Sequence, residues 1–128
     1  MRLRWVDRGV VFAIHAAQLA EHGGLPGLRD GNALASALDR APNRHVYGCD
    51  DIMELAACYA YGLGRNHPFI DDNKRVSAVV TELFLTLNGH TLAATDTEVV
   101  ATWLAIAAGD IDEGTLTEWL RSRSPASA

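Results

Sequence analysis

Apolar residues recur along most of the chain at the three- and four-residue spacing of an amphipathic helix, and no segment alternates at a period of two for more than a few residues. The two clearest runs are Ile52, Leu55, Ala56, Tyr59, Ala60 and Leu63, and then Val76, Val79, Val80, Leu83, Phe84 and Leu87. Runs of this kind bury one face of each helix against its neighbours. The pattern therefore predicts an all-α fold of about six helices.

The first half of the chain predicts two helices and a flap. A helix runs roughly from residue 7 to residue 21 and ends at Gly23 and Gly24, because glycine accepts the left-handed conformation that ends helices. Asp30 caps a second helix, which we expect to end before Pro42. The stretch APNRHVYG, residues 41 to 48, is short and polar, and we expect an exposed flap there.

Four more helices follow from capping signals at their starts. The predicted first residues are Asp51 in a D-x-x-E start, Asn73 after a polar loop, Thr95 in a T-x-x-E box and Thr115 in a second T-x-x-E box. The third helix should end before Pro68, and the fourth at Asn88 and Gly89. The three tryptophans lie at helix-face spacing and should be in the core, whereas the tail RSRSPASA should fray.

Length and composition indicate a single globular domain over residues 1–128. The 128 residues are 48% apolar and 21% charged, which is typical of a folded soluble protein. The N-terminus carries charges within its apolar stretch, so it predicts neither a signal peptide nor a membrane span. We expect a cytoplasmic protein with no membrane partner.

Charge and cysteine usage narrow the chemistry. The net charge of −5 disfavours direct nucleic-acid binding, since binding to a phosphate backbone needs a basic face. Cys49 and Cys58 have no metal-binding spacing and are expected to be reduced thiols. The four histidines outside residues 65 to 78 are scattered, so a dedicated zinc site is not expected.

The densest polar chemistry lies in RNHPFIDDNKRVSA, residues 65 to 78, where a loop leads into a helix. The first N–H groups of a helix lack intrahelical partners and the dipole is positive there, so phosphate oxygens are favoured ligands. Asn73 adds an amide, and Lys74 and Arg75 add cations that reach from the first turn. This combination predicts a polyphosphate site.

The same loop contains a base and a metal ligand. His67 can accept a proton near neutral pH, and Asp71 offers the hard oxygen that Mg²⁺ prefers when substrate phosphates complete its shell. Phe69 should be buried and hold the loop in place. Each residue alone has a structural explanation, such as an exposed ion pair or a helix cap, but the combination favours transfer of part of a nucleotide to a hydroxyl.

The segment HPFIDDNKR resembles the signature of the Fic/Doc superfamily, which is H-P-F-x-D/E-G-N-G-R in the Fic branch and H-x-F-x-D-A-N-K-R in the Doc branch. Lys74 stands where the Fic branch has its second glycine, and a lysine at this position is similar to the Doc branch. The likeness extends upstream through GGLPGLRDGNALASALDRAPN and downstream to EWLRSR. The chain departs from the pattern at Asp72, where the family has alanine or glycine.

The resemblance implies a Fic-type helical bundle and a toxin of a toxin–antitoxin pair. Such a toxin uses ATP and Mg²⁺ to phosphorylate a threonine of translation elongation factor Tu, and it arrests protein synthesis. By position, His67 would be the base, Asp71 the metal ligand, and Asn73, Lys74 and Arg75 the phosphate-binding residues. A flap at His45, Val46 and Tyr47 would dock the target as an added strand.

Two other functions remain open. Fic relatives transfer the AMP moiety of ATP instead of the γ-phosphoryl group. A carboxylate at Asp72 could repel phosphate, supply a second metal ligand or only cap the helix, so a catalytically silent binding module is the other alternative. The chain lacks the S/T-x-x-x-E-G/N segment by which some Fic proteins block their own site, so inhibition is expected from a Phd-like antitoxin.

Overall fold

The computed structural model describes residues 2–127, and these form a bundle of six α-helices. In chain order the helices are α1 (Arg8–His22), α2 (Gly31–Val46), α3 (Ile52–Asn66), α4 (Asn73–Leu87), α5 (Asp96–Ala108) and α6 (Glu113–Arg123). The only β-type pairing among the described residues is two isolated antiparallel bridges. The predicted all-α fold is confirmed.

Helix α3 lies at the centre of the bundle. It packs against α2, α4, α5 and α6, while α1 packs on the outer side against α4. Nearly all side chains of α3 between Ile52 and Gly64 are buried, as expected for a helix that is apolar on most of its faces. The loop between α3 and α4 therefore starts and ends in the best-packed part of the molecule.

Two glycines allow the neighbouring helices to approach α3 closely. A Cβ atom at Gly62 would lie 3.2 Å from the backbone of Ala37 in α2, and one at Gly64 would lie 2.8 Å from Cγ2 of Ile106 in α5. The sequence GLGR at residues 62 to 65 is thus explained by helix packing.

The predicted end of α2 was wrong. The helix continues through Pro42 to Val46, and its last turn is helical although the sequence there is polar. Arg44 of this turn lies 3.5 Å from a carboxylate oxygen of Glu54 in α3 and 3.6 Å from one of Glu113 in α6. These distant carboxylates, together with basic residues at a helix C-terminus, stabilise a turn that local sequence disfavours.

The flap predicted at residues 41 to 48 is accordingly not an extended segment. His45 and Val46 belong to the last turn of α2 and Tyr47 is its C-cap, so their backbone offers no strand edge. His45 Nδ1 donates a hydrogen bond to the carbonyl of Cys49, and its ring lies 5.6 Å from that of Trp5. Val46 and Tyr47 are exposed, but strand addition at this position is no longer supported.

The remaining helix starts agree with the sequence except for α6. Asp51 caps α3, and Thr95 and Glu98 form the predicted capping box with two hydrogen bonds of 3.1 Å. Helix α6 begins earlier than predicted, because Asp112 accepts a hydrogen bond from the Thr115 N–H at 2.7 Å. Asp112 is therefore the N-cap, and Thr115 lies inside the first turn.

The C-terminal tail also differs from expectation. Ser124 is buried, His90 and Ala126 form an antiparallel bridge, and the N–H of Ser127 donates to the carbonyl of Gly89 at 2.8 Å. Through residue 127 the tail is thus held by the loop that follows α4, whereas Ala128 lies outside the described residues.

Core composition largely follows the sequence. Trp103 is 2% exposed, while Trp5 and Trp119 are half-buried against the core. Cys58 is buried and Cys49 half-buried, and neither is in a disulfide. Of the six helices, none is long and apolar enough for a bilayer span.

Candidate active site

The loop between α3 and α4 is held against the segment that precedes α2. Leu28 and Phe69 form an antiparallel bridge, in which the N–H of Arg29 donates to the carbonyl of Pro68 at 2.8 Å and the N–H of Ile70 donates to the carbonyl of Gly27 at 3.1 Å. These hydrogen bonds satisfy backbone groups that a loop would otherwise leave unpaired. The polar loop is therefore a fixed part of the fold.

Arg29 fixes the start of the loop. Its Nε donates to the carbonyl of His67 at 2.6 Å, and its Nη2 donates to the carbonyl of Asn66 at 2.7 Å. These carbonyls lie at the C-terminal end of α3, where they have no intrahelical donors. The guanidinium thus caps α3 and orients the backbone of His67, which has the left-handed conformation with φ of 46°.

The middle of the loop is anchored to α1. Phe69 is 1% exposed, as predicted, and its ring stacks on that of His15 with centroids 4.0 Å apart. His15 Nε2 donates to the carbonyl of Asp71 at 3.1 Å, so this buried histidine supports the loop at two points. No pattern in the sequence indicates this role, since His15 is one of the scattered histidines.

Asn73 ties the loop to the first turn of α4. Its Oδ1 accepts from the N–H of Phe69 and its Nδ2 donates to the carbonyl of Phe69, both at 2.9 Å. The sequence predicted a phosphate-binding amide here. In the structure the amide closes the loop, and phosphate could use only the remaining N–H of Nδ2.

Asp71 is exposed, and its carboxylate is held by backbone donors. Oδ1 accepts from the N–H of Asp72 at 2.9 Å, and Oδ2 accepts from the N–H of Leu25 at 3.3 Å. Gly24 has φ of 123°, and a Cβ atom there would lie 3.0 Å from Oδ2, so a glycine is needed for this approach. Each oxygen keeps lone pairs for a cation.

Asp72 differs from its neighbour. It is the N-cap residue of α4 with φ of 65°, yet its side chain makes no capping hydrogen bond. Instead, Oδ1 lies 2.9 Å from Nη1 of Arg75, and Oδ2 is buried without a hydrogen-bond partner among the described residues. Capping of α4 therefore does not explain this residue.

His67 is partly buried beside cations. Burial, followed by the positive charges of Lys74, Arg29 and Arg65, lowers the pKa of His67 below its ordinary value. The imidazole is therefore neutral at pH 7 and has a lone pair available to accept a proton.

These residues share one cavity of about 540 Å³ between the loop and α5. The polar side consists of the predicted residues His67, Asp71, Asn73, Lys74 and Arg75, together with Asp72. The opposite side is apolar and comes from Val99, Val100, Trp103 and Leu104 of α5, which sequence reasoning did not assign to the site. The predicted residues at 45–47 do not line this cavity.

The cavity contains carboxylates but no preformed metal cage. Among residues 2–127 no three His, Cys, Asp or Glu side chains converge on a common point. Asp71 and Asp72 are the two carboxylates that line the cavity. One or two carboxylates suit Mg²⁺ when substrate phosphates and water supply the remaining ligands, so the exposed oxygens of Asp71 fit this ion.

The start of α4 thus combines first-turn N–H groups with two cations, beside a histidine and a carboxylate, and such a helix start favours anionic groups such as phosphate. Comparison with known proteins shows the family. The chain belongs to the Fic/DOC family, whose family model matches residues 5–85.

Two relatives show which branch of the family the chain resembles. It is 29% identical over 120 residues to "Protein kinase doc" of Escherichia phage P1, and the aligned region covers 93% of this chain and 94% of the relative. It is 40% identical over 75 residues to "Toxin Doc" of Mycolicibacterium smegmatis, and the aligned region covers 56% of this chain and 57% of that relative. The predicted resemblance to Doc toxins is confirmed.

Proposed function

We propose that this protein is a Doc-type kinase that transfers the γ-phosphoryl group of ATP to a serine or threonine hydroxyl of a target protein. The observation that carries the proposal is that a histidine with a lowered pKa shares one cavity with an exposed carboxylate and two cations at a helix start. The name of the phage P1 relative, a protein kinase, favours phosphoryl transfer over AMP transfer.

The roles of the residues follow from their positions. His67 accepts the proton of the target hydroxyl while the hydroxyl oxygen forms a bond to the γ-phosphorus of ATP. At the same time the bond between the γ-phosphorus and the β–γ bridging oxygen breaks, and ADP leaves. Lys74, Arg75 and the free N–H groups at the start of α4 bind the phosphate oxygens. The apolar side of the cavity, with Trp103, accommodates the nucleoside.

Asp71 is the residue that would hold Mg²⁺. The ion would neutralise phosphate charge when bound. Arg29, His15 and Leu25 act on this residue and its neighbours through the hydrogen bonds described above, so they fix where the carboxylate lies. Asn73 contributes by closing the loop.

The physiological part of the proposal rests on what the resemblance to the Doc branch implies, and the name of the relative "Toxin Doc" supports it. We propose translation elongation factor Tu as the target, with arrest of translation as the result, and a Phd-like antitoxin as the inhibitor. The apolar side chains of Val100 and Leu104 are 60% and 53% exposed beside the cavity, and an antitoxin segment that covered them would also block the site.

The experiment supplies ATP labelled at either the α or the γ position, with Mg²⁺ and elongation factor Tu as acceptor. We expect label only from the γ position, and its loss in His67→Ala. His22→Ala is the matched control because His22 ends α1 and does not line the cavity. Transfer from the α position would instead show an AMP-transferring enzyme.

Growth arrest distinguishes the kinase from a silent binding module. Expression of the wild type should arrest growth, whereas expression of His67→Ala at the same level should not. Equal arrest by both would show that toxicity comes from binding alone and would reject the catalytic proposal.

A further inference from the structure

The carboxylate of Asp72 is buried inside the polar side of the cavity. Its side chain is 6% exposed, against 52% for its partner Arg75, and the two are joined by the 2.9 Å contact between Oδ1 and Nη1. Oδ2 has no hydrogen-bond partner among residues 2–127. An anionic group is thus already present where α4 presents its first N–H groups and its first cations.

This arrangement is energetically unfavourable for the protein alone. A buried carboxylate oxygen without a donor loses the hydrogen bonds it had in water, and the left-handed backbone with φ of 65° adds a small cost, since aspartate adopts it more readily than most non-glycine residues. The side chain does not offset this by capping α4, since it accepts no hydrogen bond from the backbone N–H groups at the start of the helix. Among residues 2–127 its side chain has one polar contact, with Arg75, so its effect on the site is exerted through that arginine.

We propose that Asp72 is an internal competitor for phosphate, which binds Arg75 in the free protein and must release it before a polyphosphate can bind. This inference rests on the proposed function, because it assumes that Arg75 is a phosphate-binding residue. Asp72 Oδ1 accepts from Nη1 of the guanidinium, so a phosphate oxygen that approaches this nitrogen competes with the carboxylate for it. The fixed negative charge also offsets the positive end of α4, which would otherwise attract anions.

The competition sets which form of the ligand the site accepts. The negative charge of Asp72 repels a metal-free polyphosphate strongly. It repels a polyphosphate that carries a divalent cation less, because the cation neutralises part of the phosphate charge. Selection against the metal-free form is therefore strongest in the wild type. Free inorganic phosphate should bind poorly for the same reason.

The test is calorimetric titration of the full chain with ATP, with and without Mg²⁺, for the wild type, Asp72→Asn and Asp72→Gly. Asparagine keeps the shape and tolerates the left-handed backbone, and glycine removes the strain as well. We expect both variants to bind metal-free ATP about tenfold more tightly than the wild type. With Mg²⁺ the gain should be smaller.

Asp51→Asn is the matched control. Asp51 is also an N-cap residue paired with an arginine, Arg121 at 2.7 Å, but it lies at the opposite end of α3 from His67. This variant makes the same change in net charge and should bind ATP as the wild type does. Thermal unfolding of each variant checks that it is folded.

Three results would overturn the inference, and they differ from one another. Unchanged affinity in both Asp72 variants would show that the carboxylate does not compete. Weaker binding of ATP with Mg²⁺ in the variants would show that Asp72 is a metal ligand instead. No binding by the wild type or any variant would reject the proposed function, and this inference with it.

Discussion

Replacing Phe69 with alanine should destabilise the protein and release the loop that forms the site. The ring is 1% exposed, stacks on His15 at 4.0 Å and meets the edge of Phe12 at 5.9 Å, so its removal leaves a cavity that rigid neighbours cannot fill. Loss of a buried phenylalanine side chain costs about 3–4 kcal/mol, of which the aromatic contacts account for about 1 kcal/mol. The measurement is the free energy of unfolding in urea, followed by tryptophan fluorescence.

Tyr47→Ala is the control for this prediction. Tyr47 is 91% exposed, so the same aromatic-to-alanine change should alter the free energy of unfolding by about 0.5 kcal/mol or less. Amide hydrogen exchange of residues 69 to 72 supplies a second readout, because Phe69→Ala removes the stacking that positions His15 beneath Asp71. A loss of stability below about 1 kcal/mol with unchanged loop exchange would refute the role given to Phe69.

Two further predictions concern His67 and Arg29. Since the pKa of His67 is lowered on folding, protonation opposes folding, and stability should fall as the pH drops through about 6.5. An NMR titration of the His67 ring should show a higher pKa in Lys74→Met than in the wild type. An equal or lower pKa would contradict a contribution of the Lys74 charge to the shift. Arg29→Ala removes two hydrogen bonds to carbonyls of α3 and should destabilise the protein by about 1–2 kcal/mol, while thermal unfolding of Arg2→Ala should be unchanged.

The helices were predictable because their signals are local. Apolar spacing within α3 and α4 needs no information from elsewhere, and the Thr95 and Glu98 box satisfies its own N–H groups within four residues. The error at the start of α6 was local, because Asp112 lies only three residues before Thr115, but the errors at the end of α2 and in the C-terminal tail have non-local causes. Helix α2 passes Pro42 because carboxylates from α3 and α6 pair with Arg44, and no pattern within α2 indicates those partners.

For the candidate site, the sequence predicts which residues take part but not how they are arranged. The site residues between 67 and 75 could be predicted from the sequence, because the residue types alone indicate a base, a metal ligand and phosphate-binding groups. Their geometry depends on the segment from Gly24 to Arg29 and on His15, which are distant along the chain. Asn73 illustrates the consequence, because its amide is used by the backbone of Phe69.

The motif residues therefore have two different functions, and this division decides how the site works. Phe69 and Asn73 build the loop, while His67 and Lys74 line the cavity without a hydrogen-bond partner for their side chains among the described residues. Arg75 lies between the two groups, since it lines the cavity but is paired with Asp72. The distant contacts hold the loop in place, so under the proposed function the ion pair is the part of the site that we expect to change when phosphate binds.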